Sequence, residues 1–276
     1  MGKTAILVDG AFFIRRSMHL FGEQTSKKLA DILFAFSCKH LSGYGPSSDS
    51  KDKSPLSHSA TLEQLYRIFY YDCRPLTKKA LHPVTKKTID FSRSDRSKWR
   101  NDFLKELSCK RKVALRLGTM DETNLSWLIS PTLTKDLCSG KIAIKDLEEK
   151  DVNLAIKQKG VDMRIGLDIA SLAFKKQVDR IVLISGDSDF VPAAKLARRE
   201  GIDFILDPMW APIKPDLMLH IDGLRSVFPK KAPTVVEDDS SIGPASSEDK
   251  EKKETPKSRT KKRRKRRKKY PINSNL

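Results

Sequence analysis

The chain has 276 residues, 38% of them apolar, and a net charge of +19. That length suits one large α/β domain with a tail or two small domains. No stretch approaches the roughly 20 apolar residues needed to span a bilayer, and four scattered cysteines (38, 73, 109 and 138) with no C-x-x-C pair exclude a zinc ribbon or a disulfide framework. The charge is not confined to one end. Residues 231–276 hold 15 Lys/Arg against 7 Asp/Glu, or +8, and residues 1–230 hold 39 against 28, or +11. A basic body with a basic tail favours a polyanionic partner, nucleic acid ahead of an anionic membrane surface. The apolar run near Met1 is too short for a signal peptide, and a cytoplasmic, reducing setting is expected.

In chain order, Thr4-Ala-Ile-Leu-Val8 is an apolar run too short for a helix and bounded by Asp9-Gly10, which predicts a buried strand. Helical spacing follows over 11–20 and 26–39. Residues 42–60, rich in Ser, Gly, Pro, Asp and Lys, predict an exposed insertion loop. The aromatic, β-branched run 67–73 predicts a second strand. Residues 74–92 are polar and punctuated by proline. Trp99, Phe103, Leu104 and Leu107 give a helix over 95–108, and 112–117 a third strand. Residues 119–150 fit either a helical or a hairpin excursion and receive no assignment.

Beyond them the pattern sharpens. Gly160-Val161-Asp162 opens a helix reaching about Lys176, with apolar residues at 165, 169, 172 and 173. A strand at 180–185, a helix at 190–200 ended by Gly201 and a strand at 202–206 follow. Alternating strand and helix predict right-handed crossovers and a parallel sheet. From about residue 230 the composition turns to Pro, Ser, Asp, Glu and Lys, and 11 of the 13 residues in 257–269 are Lys or Arg. Such a segment buries too little to offset its ordering entropy, so 230–276 is expected to be a disordered basic tail and 1–229 the folded domain.

The chemistry lies in the acidic residues that end the strands. Asp9 closes the first strand; Asp187 and Asp189 close the strand at 180–185. In an open parallel sheet this is the edge where ligands bind. Two carboxylates one residue apart repel unless a cation sits with them. Asp162, at a helix start, either caps that helix or faces the cleft. Any one of these aspartates is more often a turn former or cap; the conjunction points to an oxygen-ligand site for Mg²⁺ or Mn²⁺. Asp168 lies about 240° around the helix from Asp162, so the two do not share one site.

Val-Asp-Gly at 8–10, Lys-Gly-Val-Asp at 159–162 and Ser-Gly-Asp-Ser-Asp-Phe at 185–190 together resemble the NYN domain, a PIN-like family related to metal-dependent ribonucleases. The resemblance spans roughly residues 3–228 and is strongest from 155 to 225. It implies a PIN-like, Rossmann-like α/β three-layer sandwich around a mostly parallel sheet. It also implies that Asp9, Asp162, Asp187 and Asp189 form a metal-binding acidic pocket that hydrolyses RNA. The family often has Asn three residues after the first aspartate, where this chain has Phe12.

Around these four, Lys159 is a candidate phosphate contact, against a solvated loop lysine. Ser185 and Ser188 are candidates to position water or metal ligands, against simple caps. Tyr70, Tyr71 and Trp210 are candidates to stack on bases, although sheet aromatics usually belong to the core. Arg198 and Arg199 read as a solvated helix face. The tail reads as a nucleic-acid arm, a localisation signal or a solubilising segment.

Two main functional readings remain, a Mg²⁺- or Mn²⁺-dependent ribonuclease and an RNA-binding or regulatory protein with a degenerate pocket, which Phe12 motivates. A small-molecule phosphohydrolase leaves the charge unexplained. A dinucleotide site or an NTPase is disfavoured, because no Gly-rich phosphate loop follows the first strand.

Overall fold

The computed structural model describes residues 2–41, 63–123, 125–156 and 158–230. The expected insertion loop at 42–60 and the expected disordered tail lie outside the described residues.

The run Thr4–Asp9 is strand β1, followed directly by helix α1 (Gly10–Phe21) and α2 (Ser26–Lys39). Then come β2 (Leu65–Cys73), the short antiparallel pair β3 (Lys79–Leu81) and β4 (Thr88–Asp90), and helix α3 (Asp95–Ser108). Strand β5 (Val113–Met120) leads into β6 (Ser126–Ile129), α4 (Pro131–Cys138), β7 (Val152–Ala155) and β8 (Gln158–Lys159). Helix α5 (Val161–Phe174), β9 (Arg180–Ile184), a 3₁₀ turn at Ser188–Phe190, α6 (Val191–Arg199), β10 (Asp203–Asp207), α7 (Pro215–Met218) and β11 (Gly223–Leu224) complete it.

The main sheet has the order β11-β10-β9-β1-β2-β5-β8. Every pairing in it is parallel except β8, which runs antiparallel to the end of β5. The period-two alternation of the strands sorts their side chains onto two helical layers. Ala5 and Leu7 of β1 face one way, joining Ile165 and Ile169 of α5 and Ala194 and Ala197 of α6. Ile6 and Val8 face the other, joining Phe13 of α1, Leu33 of α2 and Phe103 of α3. Buried strands covered on both faces read as continuous apolar runs, which is why β1, β9 and β10 were legible. The expected mixed α/β architecture with a central, largely parallel sheet flanked by helices is borne out.

Differences from the sequence reading concentrate where burial is shallow. Strand β5 runs to Met120, three residues past its expected end. The unassigned stretch after it is both of the things considered, a β6–β7 hairpin with a helix between its arms. No residue of α4 is buried; it is eight residues long and its apolar stripe is short, Leu133 and Leu137 only partly covered, which gives little pattern to read. Tyr70 and Tyr71 are fully buried and belong to the core, not to a base-stacking surface. Among the described residues no helix is long and apolar enough to cross a membrane.

Candidate acidic site at the carboxyl edge of the sheet

Strands β1 and β9 are neighbours, so their carboxyl ends bring Asp9 beside the 185–189 turn. Asp9 caps α1: one carboxylate oxygen accepts from the Phe12 amide at 3.1 Å. This turn from strand to helix leaves no room for a side chain at position 10. A Cβ on Gly10 would lie 2.6 Å from both the Tyr70 hydroxyl and the Tyr71 carbonyl oxygen. The other Asp9 oxygen accepts from the Ser185 hydroxyl at 3.2 Å, and that same hydroxyl accepts from the Asp187 amide at 3.3 Å. Fully buried Ser185 therefore ties the two acidic strand ends together. Asp187 in turn caps the 3₁₀ turn by accepting from the Asp189 amide at 3.1 Å.

Asp162 enters from the opposite side, in the first turn of α5. Gly160 precedes it with φ at 77°, a left-handed conformation that aims the helix start and favours glycine. No side-chain cap is made there, so Asp162 is not the cap of its own helix. Asp162 stays exposed; partial loss of solvent, then the charges of Asp187 and Asp189, push its carboxyl above its ordinary value. Burial does the same for Asp9, offset by the Phe12 amide and Ser185, with the charge of Asp162 adding to the rise. The four carboxylates thus sense one another across a single edge. Among the described residues none of them makes an ion pair with Lys, Arg or His.

An all-carboxylate donor set with no directly paired protein cation suits a hard divalent ion. The side chains do not close on one point: among the described residues no three His, Cys, Asp or Glu stand close enough to hold a metal.

The remaining candidates divide. Ser188 accepts from the Lys214 ammonium at 3.0 Å. Lys159 is exposed but pairs with the buried Asp121 carboxylate at 2.7 Å. Asp168 turns away, taking the Tyr71 hydroxyl at 2.8 Å and the Arg116 guanidinium at 3.0 Å. Phe12 is 8% exposed and packs under the acidic turn, where a Cβ on Gly186 would meet its ring at 2.9 Å.

Sequence reasoning missed two cations near this edge. Lys214 arrives from the loop before α7, far along the chain, with no local signal. Arg15 is exposed on α1, and its charge acts to lower the Asp9 carboxyl. It lies six residues after Asp9, about 240° around the helix, so helical spacing gave no signal for it.

Residues 123–211 match the NYN domain family, so the resemblance read from the sequence is borne out over that segment. It takes in Asp162, Asp187 and Asp189 and stops short of Asp9. The match implies a PIN-like nuclease fold and a nucleic-acid class of substrate. No curated protein matches the chain. A crystal structure of a protein of unknown function from Vibrio parahaemolyticus is similar at 14% identity and a TM-score of 0.38, over 82% of this chain and 93% of that one.

Proposed function

We propose that the chain is a ribonuclease that hydrolyses RNA phosphodiester bonds at the Asp9, Asp162, Asp187 and Asp189 edge with Mg²⁺ or Mn²⁺. The observation that carries this is the Ser185 bridge between the Asp9 carboxylate and the Asp187 amide. It holds two acids that make no ion pair at the carboxyl ends of adjacent parallel strands, where such sheets bind ligands.

Asp9 and Asp187 would hold the ion, with Asp162 and Asp189 binding it or orienting the attacking water. Bound there, a divalent ion supplies a more acidic water and charge neutralisation at the scissile phosphate. Asp9 is oriented by the Phe12 amide and Ser185, and Asp187 by its own turn, so neither rotamer must be ordered when substrate arrives. Lys214, as a point charge, and Arg15, through its planar guanidinium, would meet strand phosphates. Lys159, anchored by Asp121, shapes the approach to α5. The excess of +11 over residues 1–230 draws a polyanion to the domain, and the basic tail adds a nucleic-acid arm.

A second reading, RNA binding without cleavage, is favoured by one observation: apolar Phe12 fills the place of the family's polar residue, beneath carboxylates that do not converge. Cleavage of labelled single-stranded RNA in Mn²⁺, Mg²⁺ or EDTA, wild type beside Asp187→Asn, separates the two. Metal-dependent cutting by wild type alone supports the nuclease. Salt-sensitive binding without cutting supports the second reading.

A further inference from the structure

The loop that leaves β10 at the carboxyl edge turns through two consecutive left-handed residues, Met209 with φ at 47° and Trp210 with φ at 62°. Neither is glycine, and for bulky side chains this backbone is strained. Neighbouring groups hold the loop there. Asp207 accepts from the Met209 amide at 2.8 Å, and Ser226 accepts from the Trp210 amide at 3.2 Å. The Arg16 guanidinium donates twice to the Met209 carbonyl oxygen, at 3.1 and 2.6 Å. Strain held this firmly at a surface calls for a functional explanation.

What the loop presents is an indole. Trp210 is 45% exposed, although it bonds to Phe228, which is buried in an aromatic cluster with Phe13, Phe21 and Phe36. Its ring N–H donates to the Phe228 carbonyl oxygen at 2.7 Å. The ring is therefore fixed, its one polar atom is used, and hydrocarbon is what it offers to solvent. The exposed Lys230 ammonium stands 5.6 Å from the ring centroid, within reach of a cation–π contact. A fixed aromatic surface beside a cation suits a stacked base and the phosphate next to it.

The loop also belongs to the acidic edge. Asp207, three residues before Trp210, is in register with Ile184 on β9, three residues before Asp187. Trp210 and the acidic turn thus rise from adjacent parallel strands, whose spacing is about 4.8 Å. From the other side, Arg16 ties the loop to α1 seven residues after Asp9, about 10 Å along the helix. Exposed Arg15, whose charge acts on Asp9, immediately precedes it. The indole is a few nucleotides from the acids.

We propose that Trp210 is a stacking platform for one base of the RNA strand whose scissile phosphate lies at the acidic edge, with Lys230 meeting the adjoining phosphate. This rests on the nuclease reading and adds to it a contact away from the reacting atoms. With no free donor on the ring, the contact is blind to base identity.

The test is RNA binding by the full chain in EDTA, which prevents metal-dependent cutting, read together with tryptophan emission. The probes are a short single-stranded RNA and an abasic strand of the same length. Trp210→Leu should weaken the RNA about tenfold and leave the abasic strand within about twofold of wild type. Trp210→Phe keeps a ring and should bind RNA within about threefold of wild type. RNA should quench wild-type emission, and Trp210→Phe should lose most of that quench, because Trp99 is stacked on Phe103 and Trp127 is packed on His82.

A Trp210→Leu protein that melts like wild type and binds RNA within about twofold of it overturns the proposal. So does an equal loss for RNA and the abasic strand. If the Leu variant melts early, the quench decides, and a quench undiminished in Trp210→Phe is equally fatal. Cleavage is scored separately in Mn²⁺. A chain that stacks RNA on Trp210 yet never cuts sinks only the nuclease reading; one that cuts while Trp210 is idle sinks only the platform.

Discussion

Four neighbouring strands of the sheet carry an aspartate at or just beyond their carboxyl ends, and the outer two are treated differently from the inner two. Asp207, ending β10, is fully buried with a His40 nitrogen at 3.0 Å and accepts from the Met209 and Val227 amides. Asp72, on β2, is fully buried against Arg100 and the Tyr70 hydroxyl, which burial keeps protonated. Between them, Asp9 on β1 and Asp187 after β9 meet only amides and the Ser185 hydroxyl. The flanking acids are completed by the protein's own cations or hydrogen-bond donors. The central ones are fixed in place without an ion pair, Asp187 open to solvent and Asp9 part-buried with Arg15 acting on it from a distance, so strand-end position alone does not mark a functional carboxylate.

Breaking the flanks should cost the fold. Asp72→Ala strands the Arg100 charge in the interior and is expected to destabilise by about 3–5 kcal/mol, read as a lowered midpoint in urea. Breaking the centre should cost activity instead. Asp187→Asn keeps an acceptor for the Asp189 amide, so we expect normal melting and a fall in RNA cleavage of roughly 10²–10³, the scale of losing one preorganised electrostatic contact.

Ser185→Ala leaves Asp9 and Asp187 without their shared hydroxyl. A loss of about 1 kcal/mol in stability is expected, with a tenfold or smaller drop in cleavage; unchanged values for both would remove the bridge from the account.

The smallest effect sharpens the contrast by its sign. Asp9 and Asp162 are both pushed above the ordinary carboxylate range, so their ionised forms oppose folding. That cost is absent at pH below the unfolded value and present above the raised one. Asp162→Asn should therefore stabilise the protein at neutral pH, by up to about 1 kcal/mol after solvent screening, while lowering activity. Thermal melts at pH 7 and at about pH 3.5, where the gain should shrink, would show it.

Most of the fold was legible because three inner strands are buried on both faces, so β1, β9 and β10 stand out as unbroken apolar runs. The acidic site was legible for the same reason: charge that follows such a run abruptly is conspicuous. What sequence could not supply was partnership. Lys159 looked free because its counter-ion, Asp121, lies at the start of the stretch that carried no pattern. Lys214 reaches Ser188 across 26 residues of chain. Asp168 was correctly set apart by helical angle, but its Tyr71 and Arg116 partners come from other strands.

The most direct test of the two central aspartates is Mn²⁺ titration followed by electron paramagnetic resonance, on wild type, Asp187→Asn and Asp207→Asn. The account predicts a Mn²⁺ site in wild type that is lost in Asp187→Asn and kept in folded Asp207→Asn. Mn²⁺ binding that survives in Asp187→Asn, or is missing from wild type, would contradict it.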